Sequence, residues 1–365
     1  MKILLAPDKF KGTFSSGKVC ELIEAGIREV IPDANIVSCP IADGGDGFAD
    51  VLREQLGGEW VDCDVHDALG RPLQASYASC GDTAVMEMSE ASGIRHIGEK
   101  ERDIWRANTY GTGEMMRHAI DRSGAQRIIV GIGGSASNDA GCGMAAALGV
   151  KFFDAGGEQL EPVPEQLLKC ASVDCSECTA LPKILVACDV DNSLLGNAGA
   201  VRVYALQKGA SEMDFEPLET MLQGIVKLTG GEDTASLPGA GAAGGLGFGL
   251  LQFCGARLVP GFDLIARETG LQEKIQASDV VITGEGKIDE QTLHGKGPGG
   301  VARMARDAGK KVAAFAGIVE DEPRRLFDCV YELHDAARPI EETIKQGESL
   351  LKAAAADFAT VLQRR

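Results

Sequence analysis

Charged residues gather where short apolar runs end. The run ILLAP leads into PDKFKG, with Asp8, Lys9, Lys11 and Gly12. A second run, from Ile36 to Pro40, leads into ADGGDG, with Asp43, Gly44, Gly45 and Asp46. A third, DVVI, leads into TGEGKIDEQTLHGKGPGG, with Glu285, Lys287, Asp289 and Lys296. Open parallel sheets bind ligands beyond the carboxyl ends of their strands, so carboxylates beside lysines at three such ends point to chemistry on a small charged molecule. VGIGGSASNDAG adds Gly133, Gly134, Ser135, Asn138 and Asp139. Its glycines let backbone N–H groups approach a ligand, and the start of a following helix favours an anion. In ACDVDN, Asp189 and Asp191 follow an apolar strand, where a period of two places both on one face. Two such carboxylates suit Mg²⁺, which keeps water and phosphate oxygens as its other ligands.

Two spellings resemble nucleotide motifs. KGTFSSGKV at 11–19 has the frame GxxxxGK, but a P-loop continues with Ser or Thr to hold Mg²⁺, and here Val19 stands in that place. Val19 also opens a helical stripe with Leu22, Ile23, Ile27, Val30 and Ile31, capped by Ser15 or Ser16 and stopped by Pro32. Lys18 is therefore expected inside a helix start, and Lys11, beside Asp8, is the more useful lysine. GAGAAG at 239–244 spells GxGxxG, with Gly241, Gly244 and then Gly245, but the preceding SLPGA is no strand. A glycine-lined phosphate site is the reading that survives there.

The elements that must position these residues alternate strand and helix. The first strand, the helix from Val19 and the strand at Ile36 form a right-handed β-α-β unit with parallel strands. From Glu59 the pattern changes to antiparallel hairpins. A helix over 113–122, the strand RIIVGI, a hairpin in KFFDAGGEQL, the strand KILVACDV and a helix after PGAGAAGG follow. The rhythm of parallel strands returns near Ser278. It ends on a helix over 340–362 with the stripe Ile340, Ile344, Leu351, Ala355, Phe358 and Leu362. The expected fold is α/β with two domains. A flavodoxin-like, doubly wound parallel sheet of order 2-1-3-4-5 uses residues 1–58 with 263–365, and a large mixed α/β domain, 59–262, is inserted into it. The active site is expected in the cleft between the two.

With a net charge of −18, most of the surface repels a polyanion, so nucleic-acid binding is not expected. No run of 18 apolar residues is present, so no membrane span is expected. MKILLAPDKF is too short and too soon charged for a signal peptide, which points to the cytoplasm. Forty-seven glycines cluster instead of repeating, which suits backbone-lined sites. The eleven cysteines suit reduced thiols. Cys170, Cys175 and Cys178 have the spacing C-x4-C-x2-C, but no His is near and Cys188 follows too soon for a distant fourth ligand, so a variable connection is expected. A homo-oligomer is compatible with the sequence.

Taken together, seven blocks resemble the glycerate kinase type-1 family. They are APDKFKG (6–12), PIADGGDG (40–47), GIGGSASNDAGCGM (131–144), ACDVDNSLLG (187–196), ALQKGA (205–210), PGAGAAGGLGFG (238–249) and GEGKIDEQTLHGKGPGGVA (284–302). Lys9 stands where that family usually has Ser. The resemblance implies ATP- and Mg²⁺-dependent phosphorylation of D-glycerate, with 2-phosphoglycerate the favoured product. Asp189, Lys11 and Asp8 are then the catalytic candidates. Asp191 and Glu285 are the metal candidates. Asp43, Gly44, Gly45, Gly133, Gly134, Ser135, Asn138, Asp139, Gly241, Gly244, Gly245, Lys287 and Lys296 are expected at substrate or nucleotide. Two other classes are weighed beside it: a dinucleotide-dependent oxidoreductase, from GxGxxG, and a non-catalytic small-anion binding protein.

Overall fold

Short runs rich in Val, Ile and Leu become buried strands, and amphipathic stretches become the helices laid on them. The computed structural model of the chain describes residues 1–42, 44–293 and 295–364; Asp43, expected at a ligand, lies outside the described residues. Among the described residues the strands are β1 (Lys2–Leu5), β2 (Asn35–Ser38), β3 (Glu59–His66), β4 (Pro72–Cys80), β5 (Thr83–Glu87), β6 (Arg127–Gly131), β7 (Lys151–Asp154), β8 (Cys170–Asp174), β9 (Lys183–Ala187), β10 (Arg257–Val259), β11 (Val280–Ile288), β12 (Lys311–Val319) and β13 (Cys329–Glu332). The chain divides into two compact units, Met1–Asp43 with Phe262–Arg365, and Gly44–Gly261. No described helix is long and apolar enough to cross a membrane.

The first unit has a fully parallel sheet in the order β13-β12-β11-β1-β2. The helix Ser16–Val30 begins where the Ser15 hydroxyl accepts from the Lys18 N–H at 3.2 Å, and it buries Val19, Leu22, Ile23 and Ile27. Against it lies the helix Gly347–Gln363, which buries Leu351, Ala355 and Phe358. With Ile3, Leu5 and Phe315 these side chains form one core, its Val, Leu, Ile and Phe members each contributing roughly 1.5–3 kcal/mol on burial. The helix expected over 340–362 is two: Ile340–Lys345 and Gly347–Gln363. They break at Gln346, and Ile340 and Ile344 stay 36% and 49% exposed, outside the core stripe they were expected to extend.

The second unit carries a six-stranded mixed sheet, β10-β9-β6-β5-β4-β3. Its strands β5, β6, β9 and β10 are parallel, while β3 and β4 pair antiparallel. The expected boundary at residue 58 falls earlier, because the helix Phe48–Leu56 buries Phe48, Ala49, Val51 and Leu52 within this unit and its Ala49 N–H donates to Glu87 at 3.0 Å. The hairpin expected inside KFFDAGGEQL reduces to an isolated bridge, Phe153–Gln159. The partner of β7 is instead β8, which opens with Cys170. Cys175 and Cys178 are exposed free thiols beyond it.

Candidate active site

In the first unit the ends of β1 and β11 are tied together. Asp8 N–H donates to Gly284 O at 2.8 Å, and the Thr283 hydroxyl donates to Ala6 O at 2.8 Å. This places Asp8, Lys9 and Lys11 beside Glu285 and Lys287, and all five line one cavity of about 470 Å³. Asp8 is buried and accepts from the Lys9 N–H at 2.6 Å. Glu285 accepts from the Thr292 hydroxyl at 2.7 Å. Lys11 is exposed on the cavity. Lys287 is already neutralised: it pairs with Glu320 at 2.9 Å and Asp289 at 3.5 Å, and the Glu320 contact holds its pKa above the ordinary lysine value. Lys296 is half-buried, and Gly297 next to it has φ +48° and no side chain, which lets the turn approach the Asp8 carboxylate; a Cβ there would stand 3.3 Å from Oδ2.

Lys18 takes no part. Its N–H is used by the Ser15 cap, and its ammonium pairs with Glu21 at 3.5 Å on the helix surface. The GxxxxGK spelling is a capped helix start.

In the second unit the glycine-rich stretches meet at the carboxyl ends of β6 and β9. A Cβ on Gly44 would lie 2.8 Å from the Ala187 Cβ, one on Gly131 would lie 2.7 Å from Gly44 O, and one on Gly133 would lie 3.0 Å from the Gly45 Cα. Gly133 and Gly134 themselves face solvent. Gly241, Gly244 and Gly245 do not. A Cβ on Gly241 would overlap Ser193 O, one on Gly244 would overlap Ser137 O, and one on Gly245 would stand 2.7 Å from the Ala140 Cα. These three glycines are buried where one turn packs backbone to backbone on the next. No strand precedes GAGAAG; the segment before it is the short helix Glu232–Ala235, so the strand–turn–helix context of a dinucleotide fingerprint is missing. Ala140 and Ala243, the non-glycine residues with positive φ among the described residues (55° and 54°), sit in these two packed turns, and Ala140 N–H donates to Gly244 O at 3.2 Å. Left-handed backbone at an alanine costs about 1–3 kcal/mol and persists where the surroundings dictate it.

The helix that follows this turn is Cys142–Ala147, and its anion is built in. Asp139 is fully buried and accepts from Thr109 N–H (2.8 Å), Thr109 Oγ1 (2.7 Å), Gly143 N–H (3.0 Å) and Gly141 N–H (3.2 Å). Burial raises its pKa, and these four donors oppose the rise. Asp139 therefore shapes the turn from inside and presents nothing to a ligand.

Lys208 does the same from the other side. It is 2% exposed, and its Nζ donates to Ser135 Oγ at 2.6 Å and Ser137 O at 2.7 Å. Burial pushes its pKa down to about 7, against the pull of the Asp139 charge. Asn138, also fully buried, has neither side-chain oxygen nor nitrogen hydrogen-bonded among the described residues, and the same holds for the Ser137 hydroxyl. Such orphans within a loop are what a polar ligand or water satisfies.

Asp189 and Asp191 do not share a strand face. β9 ends at Ala187, and both lie in the irregular segment beyond it. Asp189 Oδ1 accepts from Gly261 N–H at 2.8 Å, while Asp191 is exposed. Glu87, which the sequence did not single out, sits at the end of β5, buried; burial raises its pKa, and the hydrogen bond from Ala49 opposes that. Among the described residues no three His, Cys, Asp or Glu side chains gather as a ready-made metal cage. Mg²⁺ held between phosphates needs only one or two carboxylates, and Asp8 with Glu285 on one cavity wall fits that donor set.

Over residues 3–363 the chain matches the glycerate kinase family. It is 40% identical over 371 residues to a glycerate kinase of Halalkalibacterium halodurans, covering 98% of this chain and 97% of that protein. A glycerate 2-kinase of Escherichia coli is 38% identical over 374 residues, covering 99% of this chain and 98% of its own. A crystal structure from Salmonella typhimurium LT2, of a protein assigned as glycerate kinase 2, is similar with a TM-score of 0.91 and 38% identity, covering 100% of this chain and 98% of that one. Family, relatives and structure agree: the chain belongs to the glycerate kinase family and is a phosphotransferase.

Proposed function

We infer that the chain transfers the terminal phosphoryl group of ATP to D-glycerate, and that the residues at its strand ends divide that work. Phosphoryl transfer asks a protein for positioning, charge neutralisation and a group that accepts the hydroxyl proton. The observation that carries the reading is the wall shared by Asp8, Lys9, Lys11 and Glu285 at adjacent parallel strand ends. Lys11 supplies the exposed cation for a phosphate or for the glycerate carboxylate, and the half-buried Lys296 stands in the same strand-end segment as Glu285. Asp8 and Glu285 are the carboxylates that hold Mg²⁺, in preference to the exposed Asp191. When bound, that ion offsets charge on the phosphate oxygens. Asp189 accepts the proton of the attacking hydroxyl; the Gly261 N–H bound to its Oδ1 fixes the carboxylate's orientation. Gly133, backed by Gly44 and Gly45, and Gly134, backed by Ser89, are exposed and present backbone N–H groups to an anion, with the buried Asn138 behind them.

The first unit is read as flavodoxin-like, since its five parallel strands run 2-1-3-4-5 when counted along that unit. The relative from Escherichia coli is named glycerate 2-kinase, which favours the C2 hydroxyl as acceptor here. The test is ADP release coupled to NADH oxidation, with D-glycerate and Mg-ATP supplied together and singly. Release that requires both substrates supports the reading. Tight glycerate binding with no ADP formed would instead make the protein an anion carrier.

A further inference from the structure

The cavity of the first unit is larger and less polar than glycerate requires. Glycerate has three carbons, each bonded to oxygen, so it offers no apolar face. It fills the space of a few waters, at ~30 Å³ each, whereas the cavity measures about 470 Å³. Its lining is charged at Asp8, Lys9, Lys11, Glu285, Lys287 and Asp289, and apolar at Phe10, Phe14, Ile318, Leu333, Ile340 and Ile344. Ile340 and Ile344 belong to the short helix that breaks from the terminal helix at Gln346, and they are 36% and 49% exposed. They stand one helical turn apart, on the cavity, outside the apolar core. Thr343 between them is buried and hydrogen-bonded to His334 at 2.9 Å, so the wall keeps its polar group occupied and shows hydrocarbon. A space that combines apolar side chains with lysines beside metal-suited carboxylates has the mixed polarity of a nucleoside triphosphate with its cation.

We propose that this cavity receives the nucleoside of ATP, its base lying against Ile340, Ile344 and the Phe10–Phe14 pair while the phosphates run toward Lys9 and Lys11. The assignment rests on the reading that ATP is the phosphoryl donor. It adds that nucleotide affinity is set in part by hydrocarbon contributed by residues 318–344, which lie outside the glycine-rich motifs. A base covering both isoleucines removes apolar surface from water, which is the dominant gain in pockets of this kind.

The test compares Ile344→Asp with the unsubstituted enzyme, measuring KM for ATP and for D-glycerate, and inhibition by inorganic tripolyphosphate, which has the phosphates but no base. The expected result is a KM for ATP raised tenfold or more, with KM for glycerate, kcat and the tripolyphosphate inhibition constant each within twofold. Ile344→Val should restore ATP affinity. Because Ile344 is half exposed, circular dichroism should report an unchanged fold; if it does not, Ile340→Asp is read the same way. An unchanged KM for ATP overturns the proposal, as does a rise confined to glycerate or a tripolyphosphate constant that rises in parallel. Failure of the underlying reading looks different: the unsubstituted enzyme would then release no ADP from ATP and glycerate at all.

Discussion

The strand ends of the two units use glycine and charge in opposite ways. In the first unit the chemistry-bearing side chains stand on an open cavity, Lys11 exposed and Glu285 half-buried, and glycine at 297 serves close approach to a carboxylate. In the second unit Gly241, Gly244 and Gly245 are buried against neighbouring backbone, and the charges of Asp139 and Lys208 are spent inside the unit on the turns themselves. A glycine-rich motif thus has two physical meanings. It can leave room for a ligand, or leave room for another strand of the protein. Neighbouring letters do not separate the two; the atom that a Cβ would strike does.

That contrast breaks most visibly at Gly244. Gly244→Val adds a branched side chain at φ +69°, where a Cβ already overlaps Ser137 O. Overpacking and the left-handed backbone together cost on the order of 2–6 kcal/mol, so the variant should unfold at a much lower urea midpoint or accumulate as insoluble protein. A Gly244→Val enzyme with unchanged midpoint and raised KM for ATP would return this turn to ligand binding. Next in size is Asp189→Asn. Loss of a group that acts only in the transition state should lower kcat roughly 100-fold, about 2.7 kcal/mol, with stability held by the retained amide oxygen as acceptor. A near-normal kcat would reduce Asp189 to a cap for Gly261.

Lys208, its charge buried, makes the second unit respond to pH. Below about 7 it carries a proton in the folded and the unfolded chain alike. Between about 7 and the ordinary lysine value of 10.5, the unfolded chain holds a proton that the folded chain has released. Stability therefore rises with pH across that window, by at most about 1.4 kcal/mol per unit. Denaturant midpoints at pH 6.5, 8 and 9.5 should show this rise in the natural chain and not in Lys208→Met; parallel curves would contradict it. Smallest of all, Lys18→Ala should leave kcat and both KM values unchanged, its pair with Glu21 being solvent-exposed and worth little. Lys11→Ala, seven residues earlier in the same spelling, should lower kcat/KM at least tenfold.

What was legible in the sequence follows the range of the interactions. The strand ends PDKFKG and GEGKID could be read because an apolar run stops where charge begins, and the helix from Ser16 because its stripe and cap lie within one short stretch of chain. The turn over Asp139 could not, because its Thr109 partner is 30 residues away and the lysine beneath Ser135 is 73 away. Lys208 carried no local signal beyond its place in the ALQKGA block. The boundary was misplaced at 58 because ADGGDG follows a strand of one unit while Phe48 and Leu52, just beyond, are buried in the other. The pairing of Asp189 with Asp191 assumed a strand that ends two residues earlier, at Ala187.

The most direct test of phosphoryl transfer to glycerate is the proton-coupled ³¹P spectrum of the product formed from D-glycerate and Mg-ATP. Phosphate on C2 couples to a single carbon-bound hydrogen, so a new ester resonance split into a doublet should grow as ATP is consumed. A triplet, from phosphate on the CH₂ of C3, would contradict the assigned acceptor. ATP left intact in the presence of glycerate would contradict the account as a whole.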